Sequence, residues 1–433
     1  MTATSDHFQG LFERGALMGL SIATFDRDGI STYVYGETGR GSVNEATRFP
    51  IASCTKPLTA SAVCGLAEAG ALDLDLPICT WLPDFRLHDA SASAAMTPRD
   101  LLCHRSGLPP HTWSWVYGEL DRARFIHERL PHLASVGPFR EKYRYSNILY
   151  AVAGQLVHAV TGVSWEDHMR EQVFAQYGMD HTDHLDEYWM AGEHIALPHR
   201  NRQAIPGFAA KAHHPIAPAS ELISTAVDLA GWLRAHMRDP VFKGMTEAQV
   251  CIDPREQKCG VLGPLHYGLG WRLDTIDGQP HAWHSGLCSG YTAWMSVMPD
   301  RERGIVLLTN SDHSLGWLKR MAYGFHLPGI DWTETFAHAA SQAEPAPADE
   351  PAPASLDRDG HYVHPGYGTF VIDGAMGWFQ GRGPFPLTNV QADRVQFRLP
   401  EYSPTFNITF GDGQVAIDFE PQLAPIQFER QRV

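Results

Sequence analysis

An α+β domain with a helical insertion, followed by a small all-β domain, is the fold class this sequence predicts, and three observations carry the prediction. Strand-like segments near residues 17–38 and 266–310 flank a long run of helical segments, which implies an antiparallel sheet assembled from distant parts of the chain. Residues 339–357, AASQAEPAPADEPAPASLD, are rich in alanine, proline and acid and have no apolar period, the composition of an extended linker. Beyond that linker only strand patterns remain. The expected domains are therefore residues 1–338 and 358–433, joined by the linker at 339–357.

The elements follow in order. LMGLSIATFDRDGISTYVYGET alternates around Asp28-Gly29, a strong hairpin signal, and gives two antiparallel strands. Ser53 to Ala69 has helical composition, with Ser53 in the place of an N-cap and Gly70 as the stop. TPRDLLCHRSG and NILYAVAGQLVHAVTG read as helices ended by glycine, and STAVDLAGWLRAHMR as a helix capped by Ser224 or Thr225. HYGLGWRLD, HAWHSG, YTAWMSVMPD and RGIVLLTN read as short strands. After the linker, YGTFVID, RVQFRLP, TFNITFGDGQVAIDFE and IQFER are strands, the third a hairpin through the GDG at 411–413, which together predict a small β-sandwich or barrel.

Composition narrows the function. With 44% hydrophobic and 19% charged residues the chain has the make-up of a globular protein. Its 34 basic and 49 acidic residues leave a net charge of −15, and no basic patch stands out, so nucleic acid is not an expected partner. The N-terminal segment lacks a basic n-region, and the longest apolar candidate, Pro57 to Pro77, is interrupted by Glu68, Asp73 and Asp75, so neither export nor a membrane span is expected. Seven scattered cysteines without a C-x-x-C pair suggest a reduced, cytoplasmic chain rather than a disulfide framework or zinc site.

A serine hydroxyl is a weak nucleophile at neutral pH and needs a neighbouring base, which a lysine one helical turn on can supply. Ser53 and Lys56 have that spacing, and residues i and i+3 share a helix face. Free backbone N–H groups at a helix N-terminus also favour developing negative charge. The spacing alone describes an N-cap serine with an exposed lysine equally well. Two further clusters separate these readings: Tyr145-Ser146-Asn147 directly before a helix, and His284-Ser285-Gly286 in a strand-like, glycine-bounded context.

The order Ser-x-x-Lys, Tyr-x-Asn, His-x-Gly resembles the serine β-lactamase and penicillin-binding-protein superfamily, in its class C β-lactamase, esterase and D-peptidase branch. TRFPIASCTKPLTA, ALDLDLPICTWLPDF, MTPRDLLCHRSGLPPH, YRYSNILYAVAGQLVHAVTG, ELISTAVDLAGWLRAHM and YGLGWRL look like framework segments of that branch, in its order. The resemblance implies a β-lactamase/transpeptidase-like fold in which these clusters converge on one cleft. It implies Ser53 as the acylated nucleophile, Lys56 as the group that accepts or tunes its proton, Tyr145 as partner base and acid, and Asn147 as holder of Lys56 and the substrate amide. It further implies an oxyanion hole from the backbone N–H groups of Ser53 and Leu287, with Gly286 beside the substrate. His284 stands where many relatives carry lysine. A lysine there offers a permanent cation to a substrate carboxylate and a largely neutral histidine offers less, which disfavours efficient β-lactam hydrolysis relative to esters, amides or peptides. Ser220-Glu221 replaces the paired glycines frequent in relatives, and the absence of a Gly-x-Ser-x-Gly elbow removes the α/β-hydrolase alternative. LDRDGHYVHPGYGTFVID looks like the opening of the lipocalin-like barrel appended to some members, where it shapes or caps the cleft or mediates assembly, with a passive accessory domain as the alternative.

Trp113, Trp115 and Tyr117 in HTWSWVYGEL are candidates for an aromatic substrate pocket or for loop packing. HTDHLDE at 181–187 and His213-His214 offer metal-ligand side chains without a metal-site spacing, and Cys54 is expected to point elsewhere on the helix than Ser53. Neither metal nor cofactor is expected. The expected reaction is hydrolysis of a small peptide, amide or ester, with a D-configured residue as one substrate type, through an acyl-Ser53 intermediate. The alternative is acyl transfer to an internal amine, as in the penicillin-binding-protein-type cyclases of nonribosomal peptide assembly, with a carrier-protein-bound substrate. A third reading is a non-enzymatic scaffold, which the joint presence of Ser53, Lys56 and Tyr145 argues against. The expected partner is a small molecule or short peptide, and not a membrane; an oligomer is compatible with this reading.

Overall fold

The computed structural model describes residues 3–117, 120–185, 192, 194–205, 215–254, 264–329, 358–391, 394–399 and 405–431. The expected linker at 339–357 lies outside the described residues. The first part is built on an eight-stranded antiparallel sheet. Its strands run in the order Ile30–Gly36, Gly19–Phe25, Arg303–Thr309, Tyr291–Met298, Gln279–Cys288, Arg272–Ile276, Leu265–Tyr267, Val250–Ile252. The N-terminal hairpin turns where expected, with the Asp26 N–H bonded to the Gly29 carbonyl at 3.1 Å. It joins the late strands through Leu20 opposite Thr309, which makes the sheet from distant parts of the chain. Gly19–Phe25 and Tyr291–Met298 are buried at every residue, as strands covered on both faces must be. Helices Ala3–Arg14, Ala226–His236 and Leu315–His326 pack on this sheet.

The helical insertion sits between the hairpin and the late strands. Helix Thr55–Glu68 follows a 3₁₀ turn, Ala52–Cys54, and is buried without interruption from Thr55 to Cys64. Pro57 falls in its first turn, where a missing N–H breaks no bond. Gly70 follows with φ 72° and donates to the Ala67 carbonyl, a left-handed stop that suits glycine. The expected capping role of Ser53 is corrected: no side chain caps either turn, because the Ser53 hydroxyl is bonded elsewhere. Helix Asn147–Thr161 packs beside it, apolar on nearly every side and correspondingly buried. Of the two caps considered for Ala226–His236, Thr225 is the one that accepts the Asp228 N–H.

TPRDLLCHRSG forms a single turn of helix, Pro98–Leu102, closed by a capping box between Thr97 and Asp100. The fully buried Asp100 carboxylate also holds Arg140 at 2.6 Å and Arg105 at 2.8 Å. These bonds lay residues 136–144 alongside 104–107, with Arg140 N–H on the Arg105 carbonyl and Arg144 N–H on the His104 carbonyl. The segment that leads into Tyr145 is thereby fixed before the helix begins.

Residues 360–430 form a closed eight-stranded antiparallel barrel, in which Gly360–His364 pairs with Gly368–Asp373 on one side and Ile426–Arg430 on the other. Of the sandwich and barrel alternatives, the barrel is the one formed. An eight-stranded barrel is just wide enough for side chains to fill. Here aromatic rings do so: Phe370, Phe379, Phe385, Phe397, Phe406 and Phe419 are buried, with Phe379–Phe419 and Phe385–Phe397 centroids 4.9 and 5.0 Å apart.

Candidate active site

Strand Phe49–Pro50 runs into the turn Ala52–Cys54, so Ser53 projects from the entry of helix Thr55–Glu68 and Lys56 from its first turn. Ala52 has φ 46°, a left-handed value that a residue with a Cβ adopts at a cost and that neighbouring structure must enforce. Strand Gln279–Cys288 presses on this turn. A Cβ at Gly286 would lie 2.0 Å from the Ile51 carbonyl oxygen, so only glycine permits the approach. Leu287, next on the strand, is half exposed at this edge.

Four of the expected residues meet in one hydrogen-bonded set. Ser53 Oγ lies 3.1 Å from Lys56 Nζ and accepts from the Tyr145 hydroxyl at 2.9 Å. Lys56 Nζ also donates to Asn147 Oδ1 at 2.8 Å and to the Ala219 carbonyl at 2.9 Å. A neutral lysine amine has two N–H bonds and one lone pair, which matches two acceptors and one hydroxyl donor. Lys56 is fully buried. Burial, with the charge of Arg272 adding to it, holds its pKa well below the lysine range. Burial pushes the Tyr145 phenol the other way, upward, against the smaller opposing effect of its bond to Ser53. Both groups therefore favour their neutral forms: the amine can take a proton from Ser53, and the phenol keeps one to give.

His284 is engaged differently. Its Nδ1 lies 2.8 Å from the Ser285 carbonyl, which can only accept, so Nδ1 carries the proton and Nε2 accepts from the Tyr267 hydroxyl at 3.0 Å. The ring is buried, and burial, reinforced by the charge of Arg272, holds its pKa well below the histidine range. Its link to the nucleophile turn runs through the backbone, where its carbonyl accepts from the Cys54 thiol at 3.5 Å. That thiol is pushed up by burial, away from a reactive thiolate.

Two neighbours were not foreseen. His104 adopts φ 62°, accepts the Ser146 N–H on Nδ1 at 3.2 Å, and sets its ring 4.6 Å from that of Tyr145 and 4.9 Å from that of Tyr267. Burial keeps it neutral. The Arg272 guanidinium lies 5.8 Å from the Tyr145 ring centroid and 5.4 Å from that of Trp283, within cation–π range. Both residues sit in framework segments, LLCHRSG and YGLGWRL, and no spacing to Ser53 marks them.

The remaining candidates fall elsewhere. Trp113, Trp115 and Tyr117 are buried, and the first and last face the barrel, 4.8 Å from Phe406 and 6.4 Å from Phe379 between centroids. Around them His111 Nδ1 accepts from the Tyr367 hydroxyl at 2.7 Å, and Gln380 donates to the Trp113 carbonyl at 2.8 Å. The packing alternative thus describes these rings. His181 and His184 lie 3.7 and 2.9 Å from the single carboxylates of Asp228 and Asp183. His213 and His214 lie outside the described residues. Ser220 closes the turn Ala217–Ser220, whose Ala219 carbonyl holds Lys56, so the unusual Ser220-Glu221 pair does border the site.

Comparison with known proteins gives a consistent picture. A family model described as Beta-lactamase matches residues 4–323. Penicillin-binding protein 4 of Amycolatopsis lactamdurans is 28% identical over 82% of this chain and 97% of its own length. Unguisins hydrolase ungD of Aspergillus violaceofuscus (strain CBS 115571) is 26% identical over 83% of this chain and 74% of its own. Among solved structures, the octameric penicillin-binding protein homologue from Pyrococcus abyssi aligns with a TM-score of 0.66 at 19% identity, covering 98% of this chain and 99% of that one. SurE in complex with D-Leu aligns at 0.62 and 20% identity, covering 99% of each chain. A class C beta-lactamase aligns at 0.63 and 18% identity, covering 76% of this chain and 95% of that one. The first two structures thus extend through the barrel and the third stops short of it.

Proposed function

The chain belongs to the Beta-lactamase family, and on that premise we propose that it is a serine hydrolase that cleaves a small peptide, amide or ester through an acyl-Ser53 intermediate. The observation that carries this reading is the buried Lys56 amine 3.1 Å from Ser53 Oγ, with the Tyr145 hydroxyl 2.9 Å from the same oxygen. In acylation Ser53 Oγ bonds to the substrate carbonyl carbon while its proton passes to Lys56. Tyr145 gives its proton to the leaving group and is reprotonated from Lys56, so one proton leaves with the product and Lys56 returns to its neutral form. The backbone N–H groups of Ser53 and Leu287 receive the oxyanion. Water then enters by the reverse route and frees the acid.

Asn147 keeps the amine aimed at Ser53 throughout, and the neutral His284 holds the adjoining strand. A relative named as an unguisins hydrolase, and a structure of the same two-part architecture holding D-Leu, motivate the choice of peptide substrates and the inclusion of D-configured residues. Labelling with a fluorophosphonate probe, read by intact-mass and peptide mass spectrometry, tests the nucleophile. One adduct on Ser53, absent in Ser53→Ala, is the expected result, and equal labelling of both proteins overturns the reading. A linear peptide thioester then separates hydrolysis from acyl transfer: free acid supports the proposal, and a cyclised product replaces it with the transferase.

A further inference from the structure

A general acid works only when its proton is held close to its destination, since a misplacement of about 1 Å costs on the order of 10²-fold in rate. Tyr145 stands outside any helix or strand, one residue before the N-cap of helix Asn147–Thr161. The N-cap does not anchor it: Ser146 makes no capping bond, and its buried hydroxyl has no hydrogen-bond partner. The anchor is His104. The peptide N–H groups of the residues on either side of Tyr145 both end on this one residue, Arg144 N–H on its carbonyl at 2.9 Å and Ser146 N–H on its ring Nδ1 at 3.2 Å. The same ring lies 4.6 Å from that of Tyr145. His104 makes these contacts at φ 62°, a left-handed value that histidine, asparagine and aspartate adopt more readily than most side chains and that clusters at functional sites. It is itself fixed, because the buried Asp100 carboxylate ties Arg105, its neighbour, at 2.8 Å and Arg140, on the facing segment, at 2.6 Å. An N–H donated to Nδ1 requires a lone pair there, so the ring is neutral with its proton on Nε2. Full burial favours the same state.

We propose that His104 is the positioning residue of Tyr145, its carbonyl and ring nitrogen clamping the backbone on both sides of the phenol so that the hydroxyl is held for protonating the leaving group. This rests on the acyl-Ser53 reading. The test compares two esters of N-acetylglycine with the same acyl group: the 4-nitrophenyl ester, whose phenolate leaves without a proton, and the ethyl ester, whose alkoxide needs one. The readout is kcat/KM for the nitrophenyl ester divided by that for the ethyl ester, a ratio that reports acylation and that a general loss of active enzyme does not move. In His104→Ala the ratio is expected to rise by about tenfold or more, because only the ethyl ester depends on an aligned phenol. His104→Asn, whose Oδ1 stands in for Nδ1 and which tolerates the left-handed backbone, should hold it within about threefold of wild type. In a Tyr145→Phe background, where the phenolic proton is already gone, adding His104→Ala should leave the ratio where Tyr145→Phe alone sets it. An unchanged ratio in His104→Ala, an asparagine variant as shifted as the alanine one, or a further shift in the Tyr145→Phe background overturns the proposal. Should the alanine variant fail to fold, His104→Gln replaces it: its amide reaches the place of Nε2 and not that of Nδ1, so a raised ratio supports the clamp and an unchanged one overturns it. Fluorophosphonate labelling separates the two ideas: a labelled Ser53 with an unchanged ratio removes the role of His104 only, whereas an unlabelled Ser53 removes the hydrolase itself.

Discussion

The cleft around Ser53 and the inside of the barrel are both filled, yet with opposite chemistry. Around Ser53 the groups withdrawn from water are polar: the buried Lys56 amine and the His104 and His284 imidazoles, with the half-buried Tyr145 phenol and Asn147 amide, nearly all held in neutral form by the loss of water. Inside the barrel they are rings whose only demand is contact. A buried polar group costs free energy unless each donor and acceptor is met. The cleft meets most of them with bonds that run between separate segments, Lys56 to Asn147 and Ala219, His104 to Ser146, His284 to Tyr267, and leaves His104 Nε2 and Ser146 Oγ buried without one. The barrel's stability comes from area and shape and requires no such bonds. Substitutions should therefore separate chemistry from stability along this line.

The largest effect belongs to the cleft. Lys56→Ala removes the group placed to accept the serine proton and should lower the acylation rate by about 10³-fold, within the range for general-base removal. Tyr145→Phe, which keeps the ring and loses the proton, should fall in the same range while its thermal transition stays near the wild-type value. Stopped-flow acylation and melting curves on the same preparations check both. An acylation rate within tenfold of wild type for either variant breaks the assignment of the cleft as the catalytic half.

The mirror experiment lies in the barrel. Phe419 stacks on Tyr367 at 5.5 Å and meets Phe379, Phe406 and Trp113 at 4.9, 5.2 and 6.1 Å between centroids. Phe419→Ala should cost about 3–5 kcal/mol of stability through lost contact and an unfilled cavity. Rate per labelled active site should remain close to wild type. Denaturant unfolding alongside active-site titration measures the two separately, and a rate loss without a stability loss would place Phe419 on the catalytic side of the comparison.

The two regions also differed in how far the sequence disclosed them. The sheet and insertion were legible where local rules are strong: the Asp28-Gly29 turn, the glycine stops at Gly70 and Gly162, and the short late strands separated by turn residues. Helices Ala3–Arg14 and Leu315–His326 were not assigned, since each shows only a short apolar stripe, such as Phe8 with Leu11 or Leu318 with Met321. Barrel strand Arg382–Gln391 was missed because Pro384 and Pro386 argue against a strand interior. In the cleft, Ser53, Lys56, Tyr145 and Asn147 were legible from the order of three short clusters. The Ala219 carbonyl, His104, Tyr267 and Arg272 were not, because their roles arise from contacts across the sheet and insertion that no spacing encodes. Ser53 was misplaced as a cap for a related reason: its partners are a tyrosine and a lysine, and only one of them is local.

The smallest expected effect is at the rim of the barrel, where it meets the loop at His111 and Thr112, and there a carboxylate breaks the barrel's apolar pattern. Glu420 is 6% exposed and accepts the backbone N–H groups of Thr112 and His111, yet burial outweighs these bonds and pushes its pKa up from 4.5 to about 7. The folded state therefore holds this proton more tightly than the unfolded one. Its contribution to stability is fully present below about pH 4.5 and is lost as pH rises through about 7. The difference amounts to about 3 kcal/mol at pH 8. Glu420→Gln presents the same shape as the protonated acid and cannot ionise, so it should lie within about 1 kcal/mol of wild type at pH 5 and exceed it by up to about 3 kcal/mol at pH 8. His111 and His364, both lowered to about 4 by burial, weaken the fold as pH falls below the usual histidine value, but they do so in both proteins and cancel in the comparison. Tyr367 beside them stays a phenol over this range. Denaturant midpoints of the two proteins at pH 5 and pH 8 give the result. A glutamine variant weaker than wild type at pH 8 would mean that the Thr112 and His111 N–H groups stabilise an ionised Glu420, making the rim a polar site of the cleft's kind.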